Sequence, residues 1–270
     1  MKNILVLGAE GMLGSQLTNY FQNQNNVNLY FTSRSKVKNT KSIIFDVMKN
    51  EIEDLLNISN FDFIINCIGV IKPLINNNLY HSIYINSLFP IELSNFCELK
   101  KINLIHITTD CVFSGFKGFY DENDIHDALD IYGKSKSLGE APNCMVIRTS
   151  IIGKEIKNSR SLISWIISQK NNEINGFANH FWNGLTTNYL SEVIYKIIFD
   201  NYFKKKIFHI YSPNDVSKYD LVKLINNKFF LNIKINNVNS DSQIDRRLSS
   251  IYDLSKTLAT KNIEEQINEL

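Results

Sequence analysis

Ile4-Leu5-Val6-Leu7 runs directly into Gly8-Ala9-Glu10-Gly11-Met12-Leu13-Gly14, and the reading of this stretch decides the fold. Four consecutive apolar residues suit a short strand buried on both faces. The G-x-x-G-x-x-G that follows opens a helix over Met12–Gln22. Glycines at this spacing permit a tight turn, let backbone approach a pyrophosphate, and allow helix to pack on strand. The helix N-terminus then offers unpaired amides and a partial positive charge. A plain strand-to-helix turn would also use glycines for geometry, but the position after an N-terminal strand favours dinucleotide binding.

Outward from this loop, short apolar runs alternate with helix-like segments, which predicts an α/β fold with a doubly wound parallel (Rossmann) sheet. The further strands are Asn28–Thr32, Ser42–Phe45, Phe63–Cys67, Asn103–Thr108 and Met145–Thr149. Tyr84–Leu99 has helical spacing, with Ile85, Leu88, Ile91, Leu93 and Phe96 as the expected buried stripe, and Ile131–Gly139 is a second helix. After Ser150 the pattern is less regular. Ser161–Ser168, Tyr189–Tyr202 and Ser217–Lys228 (capped by Ser217) read as helices, Ile207–Tyr211 as a strand, and Ile174–Asn188 as an aromatic-rich loop. The expected division is a core of residues 1–150 joined by 186–212, with 151–185 and 213–270 forming a smaller C-terminal α/β substrate lobe.

Composition narrows the function. The chain has 270 residues, 44% hydrophobic and 21% charged, with a formal net charge of +2 and no dense basic face, which argues against nucleic acid as a partner. No apolar run approaches a membrane span, and Met1-Lys2-Asn3 leads straight into the first strand rather than into a signal-peptide core. Cys67, Cys97, Cys111 and Cys144 lack C-x-x-C spacing, and Cys67 and Cys144 read as buried thiols, so the expected compartment is the cytoplasm. His81, His106, His126, His180 and His209 are scattered, with His106 and His209 in strand-like runs, so no catalytic metal is predicted.

The second strand speaks to which dinucleotide. Between Glu10 and Asp46 there is no Asp or Glu to bind a ribose 2′-hydroxyl. Instead Tyr30-Phe31-Thr32-Ser33-Arg34, followed by Lys36 and Lys38, offers a guanidinium and a hydroxyl to a 2′-phosphate. NADPH is therefore preferred over NADH, unless Arg34 is only a surface charge. Asp46-Val47 could hydrogen-bond and cover an adenine, or Asp46 could simply start a turn.

Tyr132-Gly133-Lys134-Ser135-Lys136 carries the chemistry, because a tyrosine and a lysine four apart share one helix face. An ammonium near a phenol can lower its pKa and suit it to protonate an alkoxide. The pattern alone is weak. Together with the Gly8/Gly11/Gly14 loop, Asn66, Asn86 with Pro90, Thr109-Asp110 and Arg148-Thr149-Ser150, it resembles the extended short-chain dehydrogenase/reductases. Thr108-Thr109-Asp110-Cys111-Val112-Phe113-Ser114-Gly115, with the tyrosine segment, is most similar to the dTDP-4-dehydrorhamnose reductase branch, and the likeness runs across roughly residues 2–215.

The resemblance implies that Thr109 hydrogen-bonds a substrate carbonyl, Tyr132 protonates it, and Lys136 holds the nicotinamide ribose and lowers the Tyr132 pKa. It places Cys67, Ile68 and Gly69 beside the cofactor, and Asp110, Cys111 and Val112 beside the substrate. It also admits a homodimer through Tyr84–Leu99 and Ile131–Gly139. Thr109 read by itself could be a strand-end residue tied to backbone. Two departures matter. Related 4,6-dehydratases carry an acid where this chain has Cys111, while the reductases commonly have tyrosine there; Asn66–Lys72 also differs from their small-residue run. The expected reaction is NADPH-dependent reduction of the 4-keto group of a nucleotide-activated 6-deoxy sugar. An epimerase and a non-catalytic nucleotide-binding regulatory subunit are the other readings. For the substrate, Trp182 offers a stacking face, Lys72 lies at a strand's carboxyl end, and Arg246-Arg247, with Arg247 preferred, could grip a diphosphate. Trp182 as core and Arg247 as a structural partner of Asp245 remain open.

Overall fold

A computed structural model describes residues 1–35, 41–155 and 161–270. The strands in chain order are β1 (Lys2–Leu7), β2 (Val27–Ser33), β3 (Ser42–Ile44), β4 (Phe63–Asn66), β5 (Asn103–Thr109), β6 (Met145–Thr149) and β7 (Ile151–Ile152). They continue with β8 (Glu173–Phe177), β9 (His180–Trp182), β10 (Leu185–Thr186), β11 (Ile207–His209), β12 (Val216–Ser217), β13 (Lys234–Val238) and β14 (Ile244–Asp245). The helices are α1 (Met12–Gln22), α2 (Leu79–Ile83), α3 (Phe89–Lys100), α4 (Ile131–Leu138), α5 (Leu162–Ser168), α6 (Thr187–Phe199), α7 (Lys218–Phe229), α8 (Leu254–Leu258) and α9 (Ile263–Asn268).

Seven strands pair in parallel in the order β11-β6-β5-β4-β1-β2-β3. The chain is thus an α/β protein with the doubly wound Rossmann arrangement. The direction of travel across the sheet reverses between β1 and β4, so a crevice opens at the carboxyl ends of these strands, which is where such sheets bind ligands. Period-two alternation splits β1 between two cores. Ile4 and Val6 pack with α1 and α6 through Leu17, Phe21, Leu190 and Val193, while Leu5 and Leu7 pack with α3 through Phe89, Leu93 and Phe96. Each such fully buried side chain contributes about 1.5–3 kcal/mol. A third core holds Ile163, Ile166, Trp182, Leu221, Ile225 and Ile263, and the short strands β7–β10 and β12–β14 surround it.

Two expectations are corrected. Residues 174–188 are not a loop, since they form β8, β9, β10 and the start of α6. The expected single helix over 84–99 is instead a π turn over Tyr84–Leu88, which follows directly on α2, and then α3. Pro90 explains the turn: it has no N–H, and its ring would meet the carbonyl four residues back. The Phe89 N–H therefore reaches back five residues to Tyr84 O. One extra residue rotates the helix face by about 100°. Leu88 is consequently exposed and Asn86 and Ser87 are buried, whereas Leu93 and Phe96 beyond the turn remain in the core. Cys144 is buried, but Cys67 is only partly so. Among the described residues, no helix is long and apolar enough to cross a membrane.

The C-terminus of α4 is tied to the sheet by a bidentate pair. Arg148 Nε and Nη2 donate to the Glu140 oxygens at 2.7 and 2.6 Å, with both side chains buried. The Arg148 Nη1 donates to His209 Nε2 at 3.1 Å, because His209 Nδ1 is occupied by donating to Ser249 O at 2.8 Å. Removing one partner of such a pair strands the other charge in the interior. Arg148→Met is expected to cost about 3–5 kcal/mol, and adding Glu140→Leu to recover most of that. Urea unfolding of the single and double variants checks both.

Candidate active site

The glycine loop is held open toward the crevice by its neighbours. Gly8 has φ +81, a conformation that costs glycine little. Its N–H donates to Thr32 Oγ1 at 2.9 Å, and the Ala9 N–H donates to Thr32 O at 3.2 Å, so β2 fixes the turn. A Cβ at Gly14 would overlap the Gly8 carbonyl, which is why α1 can pack so close. Gly11 caps α1 without a side-chain hydrogen bond, and the first turn (Met12, Leu13, Gly14) contains no acid. These leading amides and the helix dipole therefore remain available to an anion.

The other candidate cofactor residues surround this loop. Cys67, Ile68 and Gly69 follow β4, and Ile68 would touch a Cβ on Gly8 at 3.0 Å. The Ser33 hydroxyl is spent on a turn, donating to Ser35 O at 2.5 Å and accepting from Ser35 N at 3.1 Å. Arg34 is exposed at the end of β2. Lys36 and Lys38 lie outside the described residues. Asp46 starts a turn, its Oδ1 accepting from Met48 N at 3.0 Å and its N–H donating to Asn50 Oδ1 at 2.8 Å. Val47 is half-buried beside it against the α3-side core.

Helix α4 begins at Asp130, whose Oδ1 accepts the Gly133 N–H at 2.9 Å. A Cβ at Gly133 would overlap the Cys111 carbonyl, so only glycine lets this helix lie against the end of β5. Tyr132 is thereby brought to Thr109. The Thr109 Oγ1 accepts the Cys111 N–H at 3.1 Å, donates to Asp110 Oδ1 at 3.1 Å, and lies near enough to the Tyr132 hydroxyl to pull its pKa down. Burial, with Cys111, Asp110 and Asp130 nearby, raises the Tyr132 pKa, and only Thr109 pulls the other way. The expectation that Lys136 lowers it is not met here. The Lys136 ammonium instead donates to Ile107 O at 3.2 Å and stands beside Gly69. Burial lowers its pKa to about 8, against the opposing influence of Glu140 and Cys67.

Asn86, in the π turn, joins the parts. Its Oδ1 accepts the Val70 N–H at 2.8 Å, and its Nδ2 donates to Val70 O at 3.0 Å and Ser135 Oγ at 3.1 Å. It thus clamps the segment after β4 to α4.

On the substrate side the expected set is partly displaced. Asp110 and Cys111 follow β5 directly: burial raises both, the thiol to about 12, so Cys111 is a neutral group. Val112 is fully buried with Phe113, Tyr120 and Leu248 in a small core of its own. Trp182 lies in the lobe core, its Nε1 donating to Ser150 Oγ at 2.9 Å, so its ring is no open platform. Arg247 is paired with Asp245 and Asp215 and sandwiched between the rings of Phe119 and Phe181 at 4.0 and 4.6 Å. Lys72 pairs with Asp130 at 2.7 Å across the mouth of the site. The cations that act on Asp110 and Cys111 are Arg246, whose Nε donates to Phe113 O at 2.9 Å, and Lys218 at the start of α7. Sequence reasoning offered Arg246 only as the neighbour of Arg247, and missed Lys218 and Thr32. Neighbouring residues point to opposite sides of an extended chain, so choosing Arg247 over Arg246 hung on one residue of phase.

The profile of the family described as RmlD substrate binding domain matches residues 1–265. A dTDP-4-dehydrorhamnose reductase from Aggregatibacter actinomycetemcomitans is 27% identical over 245 residues, covering 82% of this chain and 76% of that protein. Among solved structures, the dTDP-4-dehydrorhamnose reductase of Bacillus anthracis in complex with NADP superposes with TM-score 0.79 at 20% identity, over 100% of this chain and 98% of that one. The UDP-glucuronic acid 4-epimerase of Bacillus cereus in complex with NAD gives 0.77 at 16% identity, over 98% and 94%. These structural likenesses establish the shared fold, and the profile match, spanning nearly the whole sequence, establishes that the chain belongs to the RmlD substrate binding domain family.

Proposed function

We propose that this chain is an NADPH-dependent reductase of the 4-keto group of a nucleotide-activated 6-deoxy sugar, acting in deoxysugar and surface polysaccharide biosynthesis. The observation that carries this reading is the meeting of the Thr109 and Tyr132 hydroxyls at the end of β5, one helical turn from the Lys136 ammonium. The named reductase relatives support the same reaction. NADPH, when bound, supplies the hydride. The residues fit it: the uncapped start of α1 suits the pyrophosphate, and Arg34, with no acid at the end of β2, suits a 2′-phosphate.

Thr109 orients the substrate carbonyl, and Tyr132, whose raised pKa keeps its proton at neutral pH, donates that proton to the carbonyl oxygen. Lys136, mostly charged at pH 7 with its pKa near 8, holds the ribose hydroxyls. Neutral Cys111 is no base for abstracting a sugar C–H proton, which sets the site apart from a dehydratase. Residues 151–185 and 213–270 serve as the substrate lobe, and Arg246 and Lys218 replace Arg247 and Lys72 as the cations nearest the sugar. A second reading, epimerisation on a retained NAD, draws on the NAD-bound epimerase relative, and the basic end of β2 weighs against it.

Tyr132→Phe is expected to lower kcat by about 10²–10⁴-fold while retaining NADPH binding. Steady-state turnover with a dTDP-4-keto-6-deoxy sugar, beside a fluorescence titration of NADPH, measures both, and undiminished turnover would refute the assigned acid. Arg34→Ala is expected to weaken NADPH by about 10–100-fold, the loss of charge-assisted hydrogen bonds, and to leave NADH unchanged. Equal losses for the two cofactors would remove the phosphate-binding role.

A further inference from the structure

Behind the Tyr132–Lys136 face lies a polar arrangement that the reaction above does not use. Asn66 and His106 are register partners on β4 and β5 and are fully buried. The Asn66 Oδ1 accepts the Ile68 N–H at 3.0 Å, which fixes the other end of the amide as the donor. Its Nδ2 therefore donates to His106 Nδ1 at 3.1 Å. A neutral imidazole that accepts at Nδ1 carries its proton on Nε2. Burial and the nearby Lys136 both lower the His106 pKa, which keeps the ring neutral.

That Nε2–H has no hydrogen-bond partner among the described residues, and neither has the hydroxyl of Thr108. Residues 106 and 108 lie on the same face of β5, about 6.6 Å apart along the strand. The residue between them is Ile107, whose carbonyl oxygen receives the Lys136 ammonium at 3.2 Å. The ammonium, with N–H groups to spare, is near enough to His106 to act on its ring, and it reaches β5 between the two unpartnered groups. Leaving two such buried groups unsatisfied would forfeit their hydration with nothing in return. A buried water characteristically has two to four polar partners of this kind.

We propose that one buried water is held between His106 Nε2 and Thr108 Oγ1, accepts a hydrogen bond from Lys136, and makes His106 and Thr108 positioning residues for that ammonium. The water accepts from Nε2–H, donates to Thr108 Oγ1, and presents its second lone pair to a Lys136 N–H. Lys136 then stands on two fixed acceptors, the Ile107 carbonyl and the water, with its third N–H directed to the ribose. The catalytic consequence rests on the reductase reading; the water and its effect on Lys136 do not. Among the described residues, the charged and titratable groups facing Lys136 are Cys67 after β4, His106 on β5, and Glu140 just beyond the C-terminus of α4.

The test follows the Lys136 titration by NMR of ¹³Cε-labelled lysine in the enzyme without substrate, for wild type, His106→Phe, Thr108→Val and His106→Gln. Losing the water removes an acceptor of the ammonium, so His106→Phe and Thr108→Val should each lower the Lys136 pKa further, by about one unit. His106→Gln, which can still offer an N–H, should restore much of it. An unchanged Lys136 titration in both His106→Phe and Thr108→Val overturns the proposal. So does a crystal structure of wild type at high resolution with no density between His106 Nε2 and Thr108 Oγ1. None of these readouts needs turnover, so failure of the reductase reading would appear separately, in the Tyr132→Phe kinetics.

Discussion

The contact of Gly133 with the Cys111 carbonyl sets the geometry on which the site depends. It allows α4 to rest directly on the turn that ends β5, with no side chain between helix and backbone. Any Cβ at this position would push the helix outward, and a displacement of about 1 Å is enough to impair a reacting geometry. The same approach carries Tyr132 to Thr109 and Lys136 to Ile107, so one steric allowance positions two chemical groups. Asp130 holds the N-terminus of the helix, and Arg148 holds its far end through Glu140. A short helix of eight residues has little intrinsic stability, so these end restraints keep it in register.

The parts legible in the sequence were those with a strong local rule. The apolar run Ile4–Leu7 before three spaced glycines can do few things, and it formed β1, the phosphate-type loop and α1. Ser217 lies where a helix cap must lie, and its Oγ accepts the Asp220 N–H at 3.0 Å. The α2–α3 segment was misread because periodicity assumes a constant pitch, and Pro90 breaks it by one residue. Trp182 was a poor guess for a related reason: its composition is that of a ligand platform and of a core alike, and only tertiary packing separates them. Thr32 and Lys218 left no local signal, because their partners lie 24 residues away or in a different lobe.

Charge is distributed around the crevice with unequal degrees of commitment. Arg247 is fully engaged by Asp245, Asp215 and two aromatic rings, so it is architectural. Arg246 spends Nε on the Phe113 carbonyl and still acts on Asp110 and Cys111. Lys218 faces the same pair, and burial lowers its pKa while Asp110 and Cys111 raise it. Two cations against one carboxylate leave a positive excess beside the Thr109–Tyr132 pair, which suits a substrate that carries phosphate.

Cys111 sharpens the chemistry further. A carboxylate at this point, next to Tyr132, would be a base within reach of the sugar ring and would compete for the cations. A thiol held at a pKa of about 12 accepts no proton at neutral pH and contributes no charge. Beside this uncharged thiol stands the phenol, and burial keeps it protonated. Asp110 is itself buried with a raised pKa and receives the Thr109 hydroxyl, so it orients the hydrogen-bond chain instead of opening a second route for proton transfer. A phenol that keeps its proton beside the Thr109 hydroxyl, with an uncharged thiol where a carboxylate would bring negative charge, suits protonation of an oxygen as hydride arrives.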